Sequence, residues 1–159
     1  DAPVPQSGNI NAASENPAIS LSCANPILVV RSIGPDYVVS HIAPSNLITP
    51  INGRVSISVR VSNIGNVNVT VPSTTTLFGG NCTASGQDQT AQTPPLAAGQ
   101  TSPTMAFSCT CNSPGLKRVV AEANFPRNAN IQETDYANNQ GFTLFYCGNP
   151  FAPVCADYV

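Results

Sequence analysis

The sequence predicts an all-β protein, folded as a β-sandwich with Greek-key connections. Two observations support this fold class. Short segments alternate apolar and polar residues with a period of two, and turn residues separate these segments at regular intervals. No segment repeats apolar residues at the period of a helix. With 159 residues, the chain is expected to form one domain.

The clearest strand lies between the turn residues Asn52-Gly53 and the turn at residues 63–66. Its apolar and polar side chains alternate strictly, so one face should pack on a core and the other should face water or a polar layer. The apolar positions are Val55, Ile57, Val59 and Val61, and the polar positions are Arg54, Ser56, Ser58, Arg60 and Ser62. We expect the other strands to pair with this one or to cover its apolar face.

Further strands are predicted at residues 18–23, 27–30, 37–42, 67–71, 74–78, 104–111, 117–123 and 141–146. Pro72 interrupts two of them, which favours an edge position or a bulge there. Residues 79–95 are predicted to form the longest polar connection. The chain then divides into an N-terminal arm at 1–23, a sandwich domain at 24–146 and a disulfide-closed tail at 147–159.

Five short motifs occur in order along the predicted sandwich. They are Pro35–Val39, Val61–Asn66, Leu96–Thr101, Pro114-Gly115 and Ile131–Asn139. Together they resemble the CARDB family, the cell adhesion related domain found in bacteria, over about residues 35–146. The resemblance implies an immunoglobulin-like sandwich, here of about seven to nine strands, and a role in adhesion. The chain departs from the family pattern at Asn124, where the family often has Asp, and in its six cysteines and its first 34 residues.

The charge content is low for a soluble protein. Charged residues make up 9% of the chain and the formal net charge is -2, so nothing indicates nucleic-acid binding. No run approaches the roughly 18 apolar residues of a membrane span. Asp1-Ala2-Pro3 is typical of a mature end left by signal peptidase. We therefore expect an extracellular protein, secreted or attached to the cell surface, without a membrane anchor of its own.

Two sequons predict N-glycosylation of this exported chain. They are Asn68-Val69-Thr70 and Asn81-Cys82-Thr83, with Asn68 and Asn81 as the acceptors.

The six cysteines are Cys23, Cys82, Cys109, Cys111, Cys147 and Cys155. An even number in an exported chain favours disulfides. Zinc is the alternative, but Cys109 and Cys111 are one residue apart, whereas zinc-binding pairs usually have two to four residues between them. We predict the pair Cys147–Cys155, because Gly148-Asn149-Pro150 can turn the chain back. Cys82 would then pair with Cys109 or Cys111, and Cys23 with the one that remains.

The chain's only histidine, His41, is the first candidate for a catalytic residue. No nucleophile motif, metal-binding helix motif or paired-carboxylate motif accompanies it. Its place in the predicted strand 37–42 favours a structural or exposed histidine near a sheet edge. We predict no catalytic residue, no cofactor and no enzymatic activity.

The Asn-rich loop at residues 125–139 is the candidate metal site. Its oxygen donors are Glu133, Asp135, Asn138 and Asn139, and oxygen donors suit Ca²⁺. The alternative is that Asp135 and the Asn pair fix a β-turn by hydrogen bonds to the backbone. We favour the turn and predict no metal site.

Two functions fit these observations. The first is a structural subunit of an extracellular filament or surface assembly, linked into a homopolymer by strand donation from the N-terminal arm. Ile19 and Leu21 of the arm would be the subunit-interface residues, because they alternate with polar neighbours. The alternative is a cell-surface adhesion module that recognises a protein or a glycan through its end loops. The absence of Trp counts against the glycan version.

Overall fold

The computed structural model describes residues 32–80 and 88–151, and these residues form eight strands and no helix. The strands are β1 (Tyr37–Pro44), β2 (Ile48–Thr49), β3 (Arg54–Asn63), β4 (Ser73–Gly79), β5 (Gln89–Thr93), β6 (Met105–Thr110), β7 (Gly115–Glu122) and β8 (Gln140–Cys147). Within these two ranges no helix is long and apolar enough to cross a membrane.

The strands form two sheets around one core. The first sheet has the order β1-β3-β6 and the second has the order β2-β8-β7-β4-β5. All neighbouring pairs are antiparallel except β2 with β8. The all-β, immunoglobulin-like sandwich that the sequence predicts is therefore confirmed.

Strand β3 is the middle strand of the first sheet, between β1 and β6. The side chains of Val55, Ile57, Val59 and Val61 are fully buried in the core. The residues between them face outward, and Arg54, Ser56 and Arg60 are exposed. The period-two pattern thus predicted both the strand and its buried face, because β-branched side chains pack well on a pleated surface.

The segment after β3 differs from the prediction. Residues 67–71 form no strand. The backbone N–H of Val69 donates a hydrogen bond to the carbonyl of Leu96 at 2.9 Å, and the Val69 side chain is buried. Val69 therefore packs against the segment at Leu96, and residues 67–71 do not extend a sheet.

The polar connection predicted at 79–95 contains strand β5. This strand lacks large apolar side chains, so the hydrophobic pattern could not reveal it. A hydroxyl pair anchors its inner face instead, because the Oγ1 atoms of Thr75 and Thr93 lie 2.6 Å apart and both residues are fully buried. Strand β2 was also missed, since it has only two residues. The predicted arm and the strands at 18–23 and 27–30 lie outside the described residues.

Candidate functional site

One end of the sandwich is built around the fully buried side chain of Asn63. Its Oδ1 accepts hydrogen bonds from the backbone N–H groups of Asp36 and Gly65, both at 3.1 Å. Its Nδ2 donates to the carbonyls of Val67 and Leu96, at 2.9 and 3.1 Å. The amide thus uses its donors and its acceptor to join three separate segments.

The turn that follows Asn63 is held against residues 34–36. A Cβ on Gly65 would lie 2.6 Å from the backbone nitrogen of Asp36, so only glycine allows this approach. Asn66 accepts a hydrogen bond from the N–H of Gly34 at Oδ1 (3.0 Å) and donates one to the Gly34 carbonyl (3.1 Å). These contacts explain why motifs far apart in the sequence meet at this end.

Glu133 is the second centre of the same end, and only 9% of its surface is exposed. Its Oε2 accepts a hydrogen bond from the backbone N–H of Tyr37 at 2.8 Å. Its Oε1 accepts from the side-chain amides of Asn124 at 2.6 Å and Asn139 at 3.0 Å. A buried carboxylate needs such donors to offset its lost hydration. Glu133 therefore fixes the start of β1 to the loop between β7 and β8.

Asn124 shows why an amide suits this position. Its φ angle is 53°, in the left-handed region that Asn adopts more readily than most residues. Its Nδ2 donates to Glu133, and its Oδ1 accepts from the N–H of Asn128 at 3.0 Å. An aspartate here would place a second carboxylate beside Glu133 with no donor between them.

The predicted acidic loop is divided between two roles. Asp135 accepts a hydrogen bond from the N–H of Ala137 at 2.8 Å, which fixes a local turn. Asn138 donates to the Asp36 carboxylate at 2.9 Å. Glu133 accepts a hydrogen bond from Asn139, whereas Asp135 bonds to the backbone of its own turn. Within the described ranges no group of three or more His, Cys, Asp or Glu side chains is placed to hold a metal ion.

Tyr37 is fully buried beside this cluster. Burial raises the pKa of its hydroxyl to about 12, and the negative charge of Glu133 adds to the increase. The nearby Ser73 hydroxyl lowers this pKa in part, although it and the Tyr37 hydroxyl do not meet the geometry of a hydrogen bond. A phenol with this pKa stays protonated at neutral pH, so Tyr37 is suited to packing and not to proton transfer.

A cleft of about 550 Å³ opens next to the cluster, between residues 67–71 and 129–132. Asn68, the acceptor of the first predicted sequon, is exposed and lines the cleft. Its Oδ1 accepts a hydrogen bond from the N–H of Ala98 at 2.9 Å. Glycosylation at Asn68 remains a prediction, and a glycan there would lie at the mouth of the cleft.

His41 lies on β1, which is at the edge of its sheet among the described strands. It is exposed, and its Nε2 lies 3.2 Å from the Oγ of Ser58. The Ser58 hydroxyl donates to the carbonyl of Ala43 at 3.2 Å. Within the described residues no carboxylate orients the imidazole, as a general base would require.

The predicted disulfide Cys147–Cys155 is wrong, because Cys147 pairs with Cys111. Cys147 ends β8 with its side chain pointing into the core, and Cys111 follows β6 of the opposite sheet; both are fully buried. The bond therefore joins the two sheets. It closes a loop of 36 residues, which in the chain-entropy picture stabilises the fold by about 4 kcal/mol. Zinc binding by these two cysteines is excluded as well.

Cys109 is also disulfide-bonded. Since Cys111 is already paired, Cys109 is the remaining candidate partner for Cys82, and that pairing stays a prediction. The other predicted site residues, Ile19, Leu21, Cys23, Asn81, Cys82 and Cys155, lie outside the described residues.

The apolar outer face of β7 and β8 is not among the sites that the sequence predicts. Leu116, Phe142 and Leu144 are exposed there, while Phe145, the residue after Leu144, points into the core. The run at residues 141–146 could have indicated this face, because apolar residues occur at both odd and even positions of the run. Such a run indicates a strand with apolar side chains on both faces.

The comparisons with known proteins identify the fold. No family model matches the sequence, and no curated protein matches it significantly. The chain is similar to the crystal structure of the CARDB domain of the PF1109 protein from Pyrococcus furiosus, described as a complex with di-metal ions. The TM-score is 0.54 and the identity is 18%, over 72% of this chain and 89% of that chain.

The solution structure of the same PF1109 domain gives a TM-score of 0.56 at 18% identity, over 74% of this chain and 98% of that chain. A β-glucosidase from Listeria innocua matches with a TM-score of 0.45 at 14% identity, over 72% of this chain and 16% of that chain. At these identities the likeness concerns the fold alone. The fold of this chain is CARDB-like, in agreement with the motifs in its sequence.

Proposed function

We propose that this chain is a structural subunit of an extracellular filament or surface assembly. Residues 1–23 of one copy donate a strand to the sandwich of the next, with Ile19 and Leu21 setting the register. The partner is thus a second copy of the chain, and the product is a homopolymer. The mechanism needs an acceptor edge on the sandwich, and the observation that carries the proposal is that no described strand pairs with the second edge of β1.

Strand β1 has eight residues, and β3 is its only partner among the strands of residues 32–80 and 88–151. The N–H of Ile64 donates to the Asp36 carbonyl at 2.7 Å, so Asp36 and, two residues on, Val38 turn their backbone groups toward β3. The backbone N–H and C=O groups of Tyr37 and Val39 then point to the other edge of β1. The Tyr37 N–H is taken by Glu133, whereas Val39 offers its backbone groups to an added strand.

Side chains along this edge are also suited to further burial. Val39 and Ile42 are only partly buried against the core. Gly141 of β8 lies directly beneath, because a Cβ there would come within 2.7 Å of Cγ1 of Val39. A strand inserted beside β1 would cover these two apolar side chains and gain main-chain hydrogen bonds, each of about 0.5–1.5 kcal/mol net.

The opposite edge of the same sheet is closed by a side chain. Gln89 of β5 donates from Nε2 to the carbonyl of Ser108 on β6, and the Ser108 N–H donates to Gln89 Oε1 at 3.0 Å. The side-chain amide thus occupies the backbone site that an added strand would use. This asymmetry favours β1 as the acceptor edge.

An extracellular location is part of the proposal. The disulfide Cys111–Cys147 and the bonded state of Cys109 fit an oxidising compartment. The low charge content of the chain, 9%, leaves little repulsion between copies.

The test is negative-stain microscopy of the full chain and two proline variants. Val39→Pro removes an N–H that faces the free edge of β1, so the fold is kept and an added strand is blocked. Ala106→Pro is the matched control, because Ala106 is an exposed residue next to paired Phe107 on the closed β6 edge. We expect filaments from the native chain and from Ala106→Pro, and discrete particles from Val39→Pro.

A variant that begins at Ala24 should behave like Val39→Pro, since it lacks the donor. Circular dichroism checks that each variant is folded. Filaments from Val39→Pro that match those of the native chain would exclude the β1 edge as acceptor. Discrete particles from the native chain would overturn the filament proposal itself.

The cleft of about 550 Å³ favours a second function, adhesion through the end loops. Its walls combine apolar side chains, including Val67 and buried Ile131, with the polar side chains of Thr70 and Gln132, a mixture typical of binding sites. The ligand would be a cell-surface protein or glycan. Thr70→Arg would fill the cleft, so cell binding that Thr70→Arg abolishes and Ser56→Arg leaves unchanged would support this function.

A further inference from the structure

The two outer faces of the sandwich differ in chemistry. On the first sheet, the outward residues of β3 and β6 are polar or small: Arg54, Ser56, Ser58, Arg60, Ala106, Ser108 and Thr110. This is the usual arrangement for an antiparallel sheet with one face in water. The outer face of the first sheet therefore serves as a comparison for the outer face of the second sheet.

The outer face of the second sheet is apolar where β2, β8 and β7 lie side by side. Leu116 is 65% exposed, Phe142 57% and Ile48 51%. They point away from the core, because Val119 and Phe145 in the alternate phase are buried. We name this set the β7–β8 face; it consists of Ile48, Leu116, Arg118, Val120, Phe142, Leu144 and Tyr146.

The members of the β7–β8 face are neighbours in space. Tyr146 pairs with Leu116 on one side and with Ile48 on the other. In the next rows Leu144 pairs with Arg118, and Phe142 with Val120. Side chains opposite each other on one face lie about 4.5–5.5 Å apart, so the apolar surface is continuous over three strands.

Arg118 is the only charged residue within these rows, and its environment is compatible with burial in an interface. The Arg118 guanidinium lies 4.7 Å from the centre of the Phe142 ring, a stacking that keeps the cation weakly hydrated. Glu122, at the border of the face, accepts a hydrogen bond from Gln140 at 2.8 Å. Together the two charges cancel, so two identical faces can meet without net repulsion.

We infer that the β7–β8 face packs against the same face of a second copy, sheet on sheet. This inference rests on the proposed function, because it supplies the lateral contact between subunits that strand donation joins end to end. Two flat apolar faces pack at about 10 Å, as in the interior of a sandwich. A sheet with apolar side chains on both faces is the pattern of a sheet buried on both sides.

The area agrees with a contact between copies that is weak alone and effective in an assembly. At roughly 150–200 Å² per exposed side chain, the exposed parts of Ile48, Leu116, Phe142 and Leu144 amount to about 300–400 Å². Two copies would therefore bury about 600–800 Å² from these residues alone, below the roughly 1,000 Å² of a stable free dimer. Subunits already linked by a strand are held at high effective concentration, where a small contact suffices.

The experiment uses the full chain in two backgrounds. Leu116→Ser with Phe142→Ser makes the β7–β8 face polar, and Ser56→Ala with Ala106→Ser is the matched control on the other outer face. In the native background, electron microscopy measures whether filaments run singly or side by side. We expect paired or bundled filaments from the native chain and the control, and single filaments from Leu116→Ser/Phe142→Ser.

In the Val39→Pro background, sedimentation velocity measures dimerisation of unlinked subunits. We expect concentration-dependent dimers, with a dissociation constant at least about tenfold higher when the two serines are present. Circular dichroism and thermal melting check folding, and Leu116→Ser alone is the milder variant. The inference is overturned if Leu116→Ser/Phe142→Ser associates like the native chain, or if subunits stay monomeric at every concentration. If the native chain formed no filaments, strand donation would be refuted. Dimers in the Val39→Pro background would still support the β7–β8 face in that case.

Discussion

The carboxylate of Glu133 offers the sharpest test of how this end of the sandwich is held together. Glu133→Gln keeps the shape of the side chain but replaces one acceptor oxygen by a donor NH₂ group. In the native protein both oxygens face donors: the N–H of Tyr37 and the amides of Asn124 and Asn139. In the variant at least one donor must face another donor.

The expected cost follows from these contacts. If Gln keeps its oxygen toward the two Asn amides, the bond from the Tyr37 N–H is lost and that buried N–H is left unpaired. A hydrogen bond to a charged group is worth about 1.5–3 kcal/mol, and an orphaned buried donor costs about 1–3 kcal/mol. The two remaining bonds also weaken, since their acceptor is now neutral. We expect Glu133→Gln to lower the free energy of unfolding by about 2–4 kcal/mol.

The measurement is urea denaturation without reductant, followed by circular dichroism because the chain has no Trp. Glu122→Gln is the matched control: Glu122 is only partly buried and accepts a single hydrogen bond, from Gln140, so its change should stay within about 0.5 kcal/mol. If Glu133→Gln were as stable as Glu122→Gln, the buried carboxylate would not be holding β1 to the loop.

Two further predictions concern Tyr37 and the cysteines. The unfolded chain releases the Tyr37 proton near pH 10 but the folded protein only near 12, so stability should fall by about 2–3 kcal/mol between these pH values. Tyr37→Phe should lack that part of the loss in melting curves and match the native protein at pH 7. Peptide mapping without reductant should recover Cys111 linked to Cys147, Cys82 linked to Cys109 and no free thiol; a Cys147–Cys155 peptide would contradict the fold.

Much of the strand framework could be predicted from the sequence, because each strand carries its own local pattern. The alternation from Val55 to Val61 defined both the strand and the face that is buried. The turn at 63–66 was recognisable from its Asn and Gly residues, and the ordered motifs indicated the CARDB-like sandwich. Local periodicity is sufficient here because side-chain direction in a strand repeats every two residues.

Contacts between distant positions were decided by the tertiary structure. No local pattern shows that Cys147 faces the other sheet and meets Cys111, and proximity in sequence favoured Cys155 instead. The sequence offers Glu133 as a ligand within its own loop, but its Oε2 accepts a hydrogen bond from the backbone N–H of Tyr37, 96 residues away in the chain.

The sequence alone therefore determined the strand pattern, the buried face of β3 and the turn chemistry of this protein. The tertiary structure alone decided which sheet edges are open, which cysteines meet and which face is left apolar. The physical reason is the distance along the sequence over which each feature is determined. Strand and turn preferences depend on residues within a few positions, whereas edges, disulfides and uncovered faces depend on which strands become neighbours, and that is set by the packing of the whole sandwich.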